Sequence, residues 1–308
     1  MSAMSVLFRI ILINILFIAS FSGISFADGS WESSEGILIT SDAWDEVRYD
    51  EYTTIFDVVS LLDRMGGLSL GSNLSVQVFT SEDGGILSPD AILPVPEVIY
   101  ITEGSLRLNV DDEEVLAERG QAVYIPPQTI RRFENAANDT LQFISVIDWA
   151  SPAGEIHSFN ANKTIQDIFN HQEPLNQTKV VSEDMIPALE LGDSGTNRTF
   201  RFSRFVHPRE GPYDITYDLG TARIDAGSGI PDHYIDGRYQ LITVLTGSGN
   251  ISVGCHEYAV SRNDIIYVAP GAVMNLTASD DMHLLVLTNP YYMEMFDWSM
   301  PYACDYLY

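Results

Sequence analysis

Six histidines occur in this 308-residue chain, and none precedes His157. The imidazole best placed for chemistry is His233, flanked by Asp232 and Asp236. Such a cluster suits a general base or a calcium ligand set, although aspartates are also ordinary turn residues. His283 falls on a separate strand-like run and reads as a barrel or surface histidine. No Gly-x-Ser-x-Gly elbow, HExxH or CxxC pattern occurs, so the usual serine-hydrolase, zinc-protease and zinc-ribbon chemistries have no footing. The adjacent Asp111 and Asp112 sit in an evident hairpin turn and read as solvated acids rather than a glycosidase pair. Tyr100, Tyr124, Tyr239 and Tyr267 supply rings and hydroxyls suited to sugars or aromatic acids, and tyrosine is equally a normal strand residue.

The elements that must carry these residues are short β-strands. In the first half they are Leu74–Thr80, Val98–Thr102, Leu106–Val110, Ala122–Ile125 and Leu141–Ile147. Leu106, Leu108 and Val110 alternate with Arg107 and Asn109, the period of a half-buried strand. The second half gives Asp218–Ile224, Leu241–Leu245, Gly249–Val253, Asp264–Val268 and His283–Thr288. Gly, Pro, Asn and Asp separate the runs, which predicts antiparallel sandwiches or barrels. Short helices are expected around Thr164–Phe169 and Asp184–Leu191.

The two halves repeat one another. Val98-Ile-Tyr-Ile-Thr-Glu-Gly104 resembles Leu241-Ile-Thr-Val-Leu-Thr-Gly247, an offset of 143 (247 − 104). The same offset places Val123-Tyr124-Ile125 on Ile266-Tyr267-Val268, Pro127 on Pro270, and Phe143-Ile144 on Val286-Leu287. One offset held over such a span argues for a duplicated domain.

The repeated segments resemble the two motifs of the cupin family. The first motif is matched by Gly85, five residues, Ala91-x-Leu93, three residues, Glu97, six residues and Gly104. In the second half it is matched by Gly227, five residues, His233-x-Ile235, four residues, Gln240, six residues and Gly247. The second motif is matched by Gly120, Pro126-Pro127-Gln128, Arg131 and Asn135, then by Asn263, Ala269-Pro270-Gly271, Met274 and Ala278. The resemblance implies an all-β fold of two tandem jelly-roll-like barrels with a short, partly helical linker. It divides the chain into a signal peptide (1–27), a first barrel (28–150), a linker (151–197), a second barrel (198–290) and an aromatic-rich tail (291–308).

In that family the motif positions are three histidines and a glutamate holding manganese or iron. Here they read Ala91, Leu93, Glu97 and Arg131 in the first barrel, and His233, Ile235, Gln240 and Met274 in the second. A guanidinium has no lone pair for a metal. One imidazole, one amide and one thioether do not make a site for a hard cation, and His233 with Met274 are too few for copper(I). No metal and no cofactor are therefore expected. Glu97 and Arg131 should converge as an ion pair in the metal's place, and Glu97, Arg131, Tyr124, His233, Gln240 and Met274 are the ligand-binding candidates.

Composition narrows the partners. The formal charge is −27, with 16 basic against 43 acidic residues. Such a surface repels nucleic acid and anionic lipid. Arg9 precedes an apolar run from Ile10 to Phe21 and a small-residue exit at Ser25-Phe26-Ala27, which reads as a cleaved secretory signal; the rival is an uncleaved N-terminal membrane anchor. Export makes a Cys255–Cys304 disulfide the expected state of the only two cysteines. Seven sequons, at Asn73, Asn138, Asn162, Asn176, Asn197, Asn250 and Asn275, suit a glycosylating route. The expected function is a secreted, non-catalytic binding or structural protein for a small molecule or sugar, with homo-oligomers among its possible forms. The alternative is a divergent enzyme, either a metal-independent isomerase or epimerase, or an oxidase or decarboxylase like the oxalate enzymes.

Overall fold

The computed structural model describes residues 30–32, 36–44, 47–48, 53–66, 73–82, 87, 91–111, 113–137, 139–151, 175–193, 195 and 198–299. The signal segment, Gly85, Asn138, Asn162, Asn197, Cys304 and the expected helix at Thr164–Phe169 lie outside them. Among the described residues no helix is long and apolar enough to cross a membrane.

Two jelly-roll lobes are present, each built of two facing antiparallel sheets rather than one closed barrel. In the first lobe a seven-stranded sheet runs in the order Lys179–Ser182, Gln121–Ile125, Glu97–Glu103, Leu141–Asp148, Leu74–Ser81, Thr53–Asp57 and Val47–Arg48. It faces a four-stranded sheet of Ala91–Ile92, Ile130–Asn135, Ser105–Val110 and Glu113–Glu118. In the second lobe an eight-stranded sheet runs Ser30–Glu32, Gly36–Ile39, Ile265–Val268, Tyr239–Thr246, Met282–Asn289, Asp218–Ile224, Arg198–Val206 and Leu189–Asp193. Its facing sheet holds His256–Ser261, Ser248–Val253, Met274–Ala278, Gly229–Ile235 and Asp297–Ser299.

Strand alternation sorts the side chains into three cores. Ile99, Ile101, Val123, Ile125, Phe133 and Phe143 fill the first lobe. Ile242, Val244, Ile266, Met274, Leu284 and Val286 fill the second. The opposite faces of the two large sheets meet in a third core, which joins Val98, Tyr100 and Tyr124 to Phe205, Tyr217, Tyr239 and Leu285. Asp148 pins the lobes together: its Oδ2 accepts from the Thr216 amide at 2.5 Å and hydroxyl at 2.9 Å.

The leading strands are exchanged. Gly36–Ile39 pairs with Ile265–Val268 of the second lobe, and Lys179–Ser182 pairs with Gln121–Tyr124 of the first. The boundary drawn at residue 28 therefore needs correction, because residues 30–39 complete the second lobe. The four residues Gly36–Ile39 are all buried, Leu38 within the second lobe and Ile37 and Ile39 between the lobes. The expected helix over Asp184–Leu191 is a further correction. Only a single 3-10 turn, Glu183–Met185, forms there, followed by the strand Leu189–Asp193. Pro187 and the neighbouring sheet edges, which pair those residues, account for this.

The duplication also needs one adjustment. Thr140 and Asp281 carry the carbonyls that a Cβ on Gly104 or Gly247 would strike, so the last strands correspond at an offset of 141 (281 − 140). Phe143 then matches Leu284, not Val286. The turn before the last strand is two residues shorter in the second lobe, a deletion that leaves the sheet register intact. Gly104 and Gly247 both have left-handed backbones, φ 75° and 84°, so close approach and conformation both require glycine there.

Candidate functional site

The structure brings Glu97 and Arg131 together inside the first lobe. Glu97 opens the strand Glu97–Glu103 with the parity of Ile99 and Ile101, and Arg131 has the inward parity of Phe133. They are 2% and 5% exposed, and Arg131 Nε lies 2.9 Å from Glu97 Oε2. That contact is ionic without a well-aligned N–H bond, since Glu97 Oε2 accepts no hydrogen bond among the described residues. The Ser145 hydroxyl donates to the other oxygen, Oε1. Burial lowers the Arg131 pKa, opposed by the charge of Glu97. Arg131 Nη1 is buried and unbonded, and the guanidinium carbon stands 6.0 Å from the centre of the Phe133 ring.

Ala91 pairs across the sheet with Arg131, and His233 with Met274. Two strands of each lobe thus hold the motif positions in the same relative place. In the second lobe, Gln240, Met274 and Val286 replace Glu97, Arg131 and Ser145, and the ion pair is lost. His233 Nδ1 donates to the Pro231 carbonyl at 2.9 Å. Asp232 is engaged elsewhere, accepting from Asn275 Nδ2 at 2.7 Å.

A metal of the kind family members hold does not fit either lobe. In the first, both Glu97 oxygens are committed and a guanidinium fills the space. In the second, Met274 is 1% exposed within the apolar core. No group of three or more His, Cys, Asp or Glu able to hold a metal occurs among the described residues.

Two expectations need correction. Tyr124 does not face the first lobe's interior. It packs edge-on against Tyr213, 5.2 Å away, in the core between lobes, and Tyr100, Tyr239 and Tyr267 share that core. Their positions have the parity opposite to the inward residues, so none can line a barrel mouth. Asn275 is buried, and the nitrogen that would carry a glycan is bonded to Asp232, so this sequon is closed in the folded chain. Asn73, Asn176 and Asn250 are exposed. Cys255 lies exposed in the turn after Ser248–Val253, with Cys304 outside the described residues.

One residue was missed from sequence. Asp218 has the inward parity of Ala222 and Ile224 and pairs with Thr288, whose other neighbour is Gln240. Burial pushes its carboxyl up to about 7, against the opposing charge of Arg204, whose Nε is 3.6 Å away. An aspartate opening a strand looks like a turn residue, so nothing in the local sequence marked it.

These features define a duplicated jelly-roll protein with no metal-ligand set among the described residues of its lobe centres. Residues 78–147 match the family model described as a cupin domain. The whole chain resembles a putative glyoxylate-induced protein of Pseudomonas aeruginosa, with a TM-score of 0.65, 14% identity, and coverage of 88% of this chain and 96% of that one. An S161A mutant of Bacillus subtilis oxalate decarboxylase gives a TM-score of 0.60 at 12% identity, over 89% and 82% of the two chains. Vicilin from hazelnut, Corylus avellana, gives 0.59 at 12% identity, over 82% and 85%. At such identities the neighbours show the fold alone. No curated protein sequence matches this chain. The family match falls within the first lobe, and the chain as a whole shares the two-lobed fold of these structures.

Proposed function

We propose that this chain is a secreted, non-catalytic bicupin that binds a small molecule, with its lobes serving as scaffold. The carrying observation is the Glu97–Arg131–Ser145 cluster, which occupies the centre of the first lobe with an internally compensated pair. The second lobe supports the same reading through Gln240 and the buried Met274. Export rests on the N-terminal segment and the sequons, and a structural role like that of a storage protein is a variant of the same non-catalytic reading. Metal analysis of protein purified without added metal tests it. The expected result is well under one transition-metal ion per chain; stoichiometric manganese, iron or copper bound in either lobe would overturn it.

A second reading, a metal-independent isomerase or epimerase, is favoured by Asp218. A carboxyl near neutrality facing a lobe interior has the proton affinity that acid–base catalysis requires. Turnover of a sugar or hydroxy acid that is lost in Asp218→Asn, with the fold retained, would select this reading.

A further inference from the structure

The duplication places equivalent residues at two junctions between the lobes, one closed by an ion pair and one open as a cleft. In the first, Arg262 Nη2 bonds Glu103 Oε2 at 2.8 Å. Behind that pair, the Thr102 hydroxyl donates to Gln142 Oε1 at 2.9 Å, and Gln142 Nε2 donates to Thr80 at 3.3 Å. Every charge is matched, and the remaining side chains are neutral and bonded to one another.

The second junction carries the corresponding positions with different chemistry. Arg119 stands for Arg262, but Thr246 stands for Glu103, so Arg119 has no carboxylate partner among the described residues. Arg119 is exposed, in a chain with 43 acidic and 16 basic residues. Gln142 is replaced by His283 and Thr80 by Arg223. Glu183, from the turn after the exchanged strand, bonds Arg223 at 2.7 Å and lies 3.1 Å from His283 Nε2. Burial raises the Glu183 carboxyl, but its bonds to His283 and Arg223 outweigh this and hold it at about 2. It therefore stays ionised and is fully committed to those two partners.

These residues, with Tyr100 and Thr102, line a cavity of about 280 Å³, near the small end of the range for ligand sites, roughly 300–1,000 Å³. Of its lining side chains only Leu245 is aliphatic. Tyr100 is buried, and its phenol is raised above its ordinary value by burial and by the nearby Glu183, so it remains a hydrogen-bond donor. The cleft thus offers donors from Arg119, Tyr100 and Thr246, while its own carboxylate is already paired with Arg223 and His283.

We propose that the cleft bounded by Arg119, Thr246 and His283 is a binding site for a small organic carboxylate, with Arg119 as the anion's partner. The anion would take the place that Glu103 holds beside Arg262 in the matching junction, and planar guanidinium–carboxylate pairing is the geometry arginine favours. The site needs both lobes and the exchanged segment, so only the assembled chain forms it.

The test is calorimetric titration of the intact protein with benzoate, succinate and inorganic phosphate, with sodium chloride as the ionic-strength control. Benzoate or succinate should bind the unsubstituted protein. Arg119→Gln should weaken binding at least tenfold with an unchanged ligand-free melting temperature, and the same change at Arg262 should leave affinity intact. Thr246→Glu should also abolish binding, because it supplies Arg119 with the internal carboxylate found in the other junction; it keeps the cation and so guards against a folding defect in the first variant. Binding of phosphate without either carboxylate would overturn the ligand class. Absence of binding, or carboxylate binding that survives both Arg119→Gln and Thr246→Glu, would overturn the site. These outcomes are independent of metal content, so the failure of this inference is distinct from failure of the metal-free reading of the lobes.

Discussion

Glu97 and Arg131 show how a buried charge pair can be conspicuous without being a source of net stability. Both ions lose hydration inside the first lobe, and their mutual attraction offsets only part of that loss. Removing one partner is another matter, because the survivor is left charged in an apolar core with Phe133 and Phe143. Arg131→Met should therefore cost about 3–5 kcal/mol in urea unfolding. The double change with Glu97→Gln should recover part of that loss, since Ser145 can still donate to the amide oxygen. Equal and additive small effects would show that the pair is not coupled. The second lobe is a natural version of the double substitution, with Gln240 and Met274 at the same positions. It keeps its fold without an ion pair at those positions.

At the level of elements, the exchanged strands decide how the two lobes depend on each other. Leu38 is far from the second lobe in sequence, yet it packs with Ile266, Val244 and Ile251 in that lobe's core. Deleting most of a buried leucine side chain typically costs about 2–5 kcal/mol. Leu38→Ala should therefore reduce hydrogen-exchange protection most strongly at Ile265–Val268, the strand it pairs with. Gln121–Ile125, covered instead by Lys179–Ser182, should keep its protection better. If the first lobe loosened more than the second, the strand exchange would not be carrying the stability assigned to it.

For the whole molecule, the exposed residues bear on export. Peptide mapping, under non-reducing conditions, of protein expressed through a secretory route should find Cys255 joined to Cys304. That link closes a loop of about 50 residues, which stabilises by roughly 4 kcal/mol in the chain-entropy model. The same maps should find glycans among Asn73, Asn176 and Asn250 and none on Asn275, whose side-chain amide is held by Asp232. Free thiols at both cysteines, or a glycan on Asn275, would contradict the arrangement.

Sequence alone determined the repeated strands, the turns between them and the loss of ligands at the motif positions. These are local properties: alternation, glycine with a left-handed backbone, and residue type at a fixed spacing. The resemblance of the motifs to those of cupins implied in addition that Glu97 and Arg131 share a centre, because in that family these positions converge on one metal. Tertiary structure alone decided which face each tyrosine presents, since Tyr100 and Tyr124 differ from inward residues only by one step of strand parity, and a second lobe was needed to bury them. It alone decided that Gly36–Ile39 serves the second lobe and Lys179–Ser182 the first, because strand pairing between distant segments leaves no local signal. The contrast between Arg119 and Arg262 belongs to the same class. Both are arginines after a strand of like sequence, and only the lobe packed opposite supplies Glu103 to one and Thr246 to the other.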